Sequence, residues 1–299
     1  MNLVDLSPRT LGQLGDVGPF SFGMWRFTDT DLNRRIELVE AALSAGLNLI
    51  DTADVYGLDW NGTGFGTVES ALGEVLERRP ELREQMVLAT KGGIVPPTPY
   101  DSSPAAITAA CEASLRRLQV DTIDLYQIHR PDMFVHPEAL AGALSALREQ
   151  GKIREVGVSN HTIAQTTALQ TFLPFPILTT QPQYSALDLT PLKDGTFDHC
   201  MSSAITPMAW SPLGGGRLAT GDNVRSELIA VLDEIAAREN TDRAGVALAF
   251  VLAHPARPIA IVGTQSVDRL SGLTASASIN LDRNDVYAII QASEGVPLP

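Results

Sequence analysis

Residues 46–57 read GLNLIDTADVYG, and their order decides how the chain folds. An apolar run, Leu47–Ile50, stops abruptly at a carboxylate, Asp51. Just before it, Asp31–Ala45 carries Leu32, Ile36, Val39 and Leu43 at helical spacing, and Gly46 ends that pattern. A helix, a glycine stop and a short apolar strand make one repeating unit. The runs Gly18–Phe22, Leu47–Ile50, Met86–Thr90, Ile123–Ile128, Ile153–Val158, Ile177–Gln181, Ile205–Trp210 and Pro258–Val262 give eight such strands. Helical patterns fall between them at Thr67–Arg79, Ala105–Leu118, Pro137–Gln150, Arg225–Glu239 and Arg243–Leu252, the second opened by a Ser103 cap and a first-turn Pro104. Strands that are apolar along their whole length are buried on both faces, as in parallel sheets covered by helices. Eight units in succession predict an α/β fold, a closed (β/α)8 TIM barrel in a single domain spanning 1–299. An open, doubly wound sheet is the alternative. The first ~14 residues lie outside the repeat and are expected to cap the barrel floor as an N-terminal addition, while Asp282–Ala292 reads as a C-terminal extra helix.

The composition fits an ordinary globular protein: 299 residues, 44% hydrophobic and 19% charged. A net charge of −13 argues against nucleic acid or an anionic membrane as partner. Cys111 and Cys200 are the only cysteines and have no metal or redox spacing; His136, His161, His199 and His254 are scattered, so no metal is expected. The start MNLVDLSPRT lacks a leader pattern and no apolar run approaches a membrane span, so a cytoplasmic protein is expected. Oligomeric state is not legible.

Barrel chemistry sits at the C-terminal ends of the strands. Three consecutive strands end in ionisable residues: Asp51, then Lys91 in VLATKGG, then His129 in LYQIHRPD. The spacings, 40 and 38 residues, are one strand–helix unit each. Tyr56 lies in the loop just beyond Asp51. A phenol titrates near pH 10 and serves as an acid near neutrality only where its anion is stabilised, which an ammonium does by direct attraction. A carboxylate would keep the lysine charged, and a histidine could hydrogen-bond a carbonyl oxygen. Hydride must come from a cofactor.

Asp51, Tyr56, Lys91 and His129, in the phrases GLNLIDTADVYG, LATKGG and IHRPD, resemble the catalytic tetrad of the aldo-keto reductases in type, order and spacing. The resemblance implies Tyr56 as general acid, Lys91 lowering its pKa, Asp51 holding Lys91 and His129 orienting the carbonyl. The implied activity is NADPH-dependent reduction of an aldehyde or ketone, reversible as alcohol oxidation, on a small-molecule substrate.

The later strands supply a cofactor side. Ser159 and Asn160 end the fifth strand and Gln181 the sixth; the resemblance implies that Asn160 and Gln181 hold the nicotinamide amide, although Ser159-Asn160 could instead cap the next helix. Trp210, where the family more often has tyrosine, offers a flat face to the ring. Ser211, Pro212, Leu213, Gly214 and Gly215 present backbone for a pyrophosphate, with Arg217 adding positive charge. Gly263 and Thr264 are expected at the start of the helix after the last strand, with Arg269 in its first turns. The resemblance places the adenosine 2′-phosphate there and implies NADP(H). A lysine frequent at the position of Gly263 is absent, and the adenine-contacting Glu-Asn pair falls on Gly272-Leu273. Gly23, Met24 and Trp25 match a segment that touches the cofactor and lines the pocket, with Trp25 equally readable as core. The glycine-rich NGTGFGT at 61–67 lacks the last glycine of a dinucleotide fingerprint and reads as a loop above the barrel mouth. Two other functions fit the same residues: a cofactor-binding sensor with slow turnover, and a Schiff-base enzyme using a Lys91 of depressed pKa.

Overall fold

The computed structural model describes residues 1–298. The chain enters through a two-stranded antiparallel hairpin, β1 (Arg9–Thr10) and β2 (Asp16–Val17). Eight parallel strands follow: β3 (Phe20–Gly23), β4 (Leu49–Asp51), β5 (Val87–Gly92), β6 (Ile123–Ile128), β7 (Ile153–Ser159), β8 (Thr179–Gln181), β9 (Thr206–Ala209) and β10 (Ile259–Val262). Each pairs with the next, and β10 pairs back with β3, so the sheet closes and leaves no open edge. The doubly wound alternative is thereby excluded.

Helices cover the outside. They are α1 (Leu32–Ser44), α2 (Thr67–Arg78), α3 (Pro104–Leu118), α4 (Pro137–Glu149), α5 (Ile163–Phe172), α6 (Thr196–Ser203), α7 (Arg217–Thr220), α8 (Ser226–Glu239), α9 (Arg243–Leu252), α10 (Val267–Ala277) and α11 (Arg283–Glu294). Their starts follow local chemistry: Asp31 caps α1 through the Asn33 amide, and Ser103 caps α3 ahead of Pro104. No helix among the described residues is long and apolar enough to cross a membrane.

Two apolar layers hold the barrel. One lies between strands and helices and includes Phe20, Phe22, Ile50, Leu88, Ile128, Val156 and Val158. The other fills the lumen with Leu49, Val87, Ala89, Leu125, Leu178, Met208, Ile259 and Ile261, and the hairpin contributes Leu11 and Val17 to it. Leu11 is fully buried, so the N-terminal segment seals the floor, and it runs three residues further than expected, to Val17. The first barrel strand begins at Phe20 rather than Gly18: the Gly18 amide donates to the Asn48 side chain, and Pro19 has no N–H. The chemistry is left to the opposite end.

Candidate active site

The register of β4, β5 and β6 brings the ionisable strand ends together. Asp51 pairs with Ala89, and Lys91 pairs with Gln127, so the carboxylate and the ammonium meet across adjacent strands in the upper lumen. Lys91 Nζ donates to Asp51 Oδ2 at 2.7 Å, to the Thr52 carbonyl at 2.8 Å and to Tyr56 Oη at 3.2 Å. All three ammonium protons are engaged. Because Tyr56 Oη accepts from Lys91, its own proton is free to point elsewhere. The His129 ring stands edge-on to the Tyr56 ring, with centroids 5.9 Å apart. Its Nδ1 is buried without a partner, which leaves Nε2 for the open side. The structure therefore brings Asp51, Tyr56, Lys91 and His129 to one place.

Burial and charge set the protonation states. Burial pushes Tyr56 up and Lys91 pulls it back, while Asp51 adds to the rise; the balance lies above the usual phenol value. Lys91 acts to lower the Tyr56 pKa, and burial, the larger influence, outweighs it. Burial works against the Lys91 charge, but Asp51 and Tyr56 outweigh it and raise its pKa. The depressed lysine that a Schiff base requires is not found here. His129 is held well below its usual value by burial, then by Lys91 and Arg130, so its ring is neutral.

Sequence reading missed Gln127, and it did not foresee the bond that Gln181 makes. Gln127 and Gln181 each donate from Nε2 to Asp51 Oδ1 at 3.1 Å, and both are buried. At the mouth, Trp25 is exposed, which corrects the core reading, and it lies 5.0 Å from Trp60 of the 58–66 loop. Trp25 Nε1 donates to Asp59 at 3.3 Å, and the Arg26 guanidinium stacks over both indoles and donates to the Gly215 carbonyl at 3.1 Å. Met24 is fully buried in the outer core and does not line the opening; Gly23 is buried at the end of β3. The signal for Trp60 was its place in an insertion, but a loop residue without periodicity has no readable direction.

The sequence profile of the Aldo/keto reductase family matches residues 19–294. The chain belongs to the aldo-keto reductases. It is similar to a 6-dehydroglucose reductase of Novosphingobium aromaticivorans, 44% identical over 295 residues and 97% of each chain. A 6-dehydroglucose reductase of Agrobacterium fabrum is 33% identical, covering 92% of this chain and 93% of that one. Among solved structures, an aldo/keto reductase from Klebsiella pneumoniae in complex with NADP and acetate superposes with a TM-score of 0.78 at 26% identity, over 98% of this chain and 96% of that one. This aldo-keto reductase is an oxidoreductase, and the Klebsiella pneumoniae structure holds NADP.

The cofactor side of this aldo-keto reductase fits an anionic dinucleotide. Ser211 at φ 52° and Gly214, Gly215 and Gly216 at φ 57°, 74° and 103° put a run of left-handed backbone after β9, a path that side chains other than glycine's rarely follow. The Gly214 and Gly216 amides donate within the loop, to the Ser211 and Leu213 carbonyls, while Arg217 and Arg26 donate to the Gly214 and Gly215 carbonyls, so positive charge flanks the loop despite the acidic surface elsewhere. Pro212 and Leu213 shape the same loop, Pro212 being buried. The Trp210 indole is fixed at its edge, Nε1 donating to Asn160 Oδ1 at 3.0 Å. Asn160 Nδ2 in turn donates to Ser159 Oγ at 2.8 Å and to the His129 carbonyl at 3.4 Å. Ser159 and Asn160 do not cap the next helix; Thr162 does, in a capping box with Gln165. Gly263 and Thr264 precede α10 by a short loop rather than opening it, because Ser266 is the cap; Arg269 lies in its exposed first turn.

Proposed function

We propose that this enzyme uses NADPH to reduce an aldehyde or ketone to an alcohol, reversibly, with Tyr56 as the proton donor. The observation that carries this reading is the threefold donation by Lys91, to Asp51, Thr52 and Tyr56. A phenol that accepts from an ammonium turns its own O–H outward, toward a carbonyl oxygen in the mouth. With its pKa raised, Tyr56 holds that proton at neutral pH, the form a reductase needs. As the proton leaves, Lys91 stabilises the phenolate. A neutral His129 donates from Nε2 to the same carbonyl oxygen and fixes its direction. NADPH, when bound, supplies the hydride. We assign the nicotinamide amide to Gln181 Oε1 and Asn160, the back of the ring to Trp210, the diphosphate to Ser211–Gly215 with Arg217, and the adenosine phosphate to Gly263, Thr264 and Arg269, with Gly23 beside them.

The substrate we infer is a sugar aldehyde. Two relatives are named for 6-dehydroglucose, and the mouth offers what a sugar ring binds: indole faces at Trp25 and Trp60, and polar groups at Asp59 and Arg26. We also read residues 1–299 as one catalytic domain working in the cytoplasm, where NADPH is available and the free, buried Cys111 and Cys200 stay reduced. Tyr56→Phe is the test. It is expected to abolish NADPH consumption with 6-oxo-hexoses and other aldehydes while leaving NADPH binding, read by tryptophan fluorescence, intact. Turnover by the variant at the wild-type rate would remove Tyr56 from the proton-transfer step.

A further inference from the structure

The adenosine end of the cofactor site is short of side chains. Gly263 and Gly272 stand where a lysine and the first of an adenine-contacting pair were sought. A Cβ at Gly263 would meet nothing nearer than the Gly23 carbonyl at 3.6 Å, and one at Gly272 would meet nothing within 4 Å, so both positions open on space. The loop between β10 and α10 is held by its own polar groups. The Ser266 amide donates to Thr264 Oγ1 at 3.3 Å, and Gln265 Nε2 donates to the Gly263 and Thr264 carbonyls at 3.4 and 3.3 Å. A cation reaches this loop from the other end of the chain. Arg34, 231 residues before Gln265, donates from Nη2 to the Gln265 carbonyl at 3.2 Å, because α1 packs beside α10. Its Nη1 pairs with Glu37 on the same helix, and its side chain is 34% exposed. Arg34 lies in the first turn of α1. The positive end of the helix dipole disfavours a cation there, so the helix itself does not call for this arginine.

We propose that Arg34 is a specificity-determining residue, supplying a second guanidinium, alongside Arg269, to the adenosine 2′-phosphate. This rests on the reading that the phosphate lies on Gly263, Thr264 and Arg269. A guanidinium carries five N–H donors in a planar fork. The Gln265 carbonyl and Glu37 fix the Arg34 fork at the loop and leave donors for a phosphate, whose geometry the fork matches. The space beside Gly263 is where a lysine side chain would otherwise run, and Arg34 delivers the charge from the neighbouring helix instead. A phosphate monoester carries close to two negative charges near neutrality. Two carboxylates stand near the path, Glu37 on α1 and Asp268 in the first turn of α10, and both oppose that anion. Glu37 also competes with it for Arg34. NADH has a hydroxyl in place of the phosphate, so the charge of Arg34 separates the two cofactors.

The test measures binding of NADPH and of NADH by tryptophan quenching, in the full-length enzyme and at one ionic strength. Arg34→Ala is expected to weaken NADPH about tenfold and to leave NADH within about twofold, since a charge-assisted bond to a phosphate is lost from one ligand only. Arg34→Lys keeps the charge without the fork and should recover part of the loss. Glu37→Gln removes the competitor, so NADPH should bind severalfold more tightly and NADH unchanged. A brace between α1 and the loop would behave differently: Arg34→Ala would then weaken both cofactors alike, and Glu37→Gln would tighten neither. A ratio of NADPH to NADH affinity that Arg34→Ala shifts by less than about threefold overturns the proposal. If wild type prefers NADPH and Arg269→Ala erodes that preference while Arg34→Ala does not, only the role of Arg34 fails. If wild type binds the two equally and Arg269→Ala changes neither, the placement of the phosphate falls, and Arg34 with it.

Discussion

Replacing Lys91 by methionine removes one charge from the centre of the site and little volume. Lys91 Nζ lies 3.2 Å from Tyr56 Oη. At an effective dielectric of about 20, unit charges at that separation attract by about 5 kcal/mol. Where half of that difference is felt in the transition state, kcat falls about 100-fold. The fall should be in kcat more than in KM, since the charge acts as the proton leaves. The same change strands Asp51, whose remaining donors are Gln127 and Gln181, and breaking a buried pair costs about 3–5 kcal/mol of stability. Turnover must therefore be normalised to folded sites, counted by NADPH titration, and measured as NADPH consumption with an aldehyde in excess. A Lys91→Met enzyme retaining more than about a third of wild-type kcat would refute the electrostatic argument.

Two other outcomes are expected. Arg269→Ala should weaken NADPH binding without a matching loss for NADH, as read by tryptophan quenching; equal losses for the two would separate Arg269 from the 2′-phosphate. His254 packs on Phe197 at 4.3 Å and is pushed down to about 4, chiefly by burial, with Asp198 opposing. The unfolded chain takes up that proton from about pH 6.5 downward and the folded chain does not, so stability falls as pH drops across this window. His254→Gln should flatten that slope in urea titrations, and an unaltered slope would mean the imidazole does not titrate differently on folding.

Much of the barrel was legible because strands buried on both faces have no choice but to be apolar, and because glycine and proline mark where helices stop and start. The strand ends Asp51, Lys91 and His129 stood out as ionisable residues closing such runs. What stayed hidden had no such contrast. Gln127 shares its strand with a second polar residue, Asp124, and only the barrel's register turns it toward Asp51. The helices α5 and α6 are short and rich in Thr, Ser and Gln, so their apolar spacing is faint. The hairpin strands are two residues each, too brief to alternate.

Asp51 on β4 and Gln181 on β8 face each other across the full width of the barrel, four strands apart in a ring of eight. Their bond is a tie-rod between opposite walls, and Lys91 and Gln127 brace it from the side. A descendant of this chain that lost its chemistry would still need that carboxylate to stay round. Tyr56, whose hydroxyl props up nothing beyond the ammonium, is the residue such a descendant could discard, and so the better witness to activity.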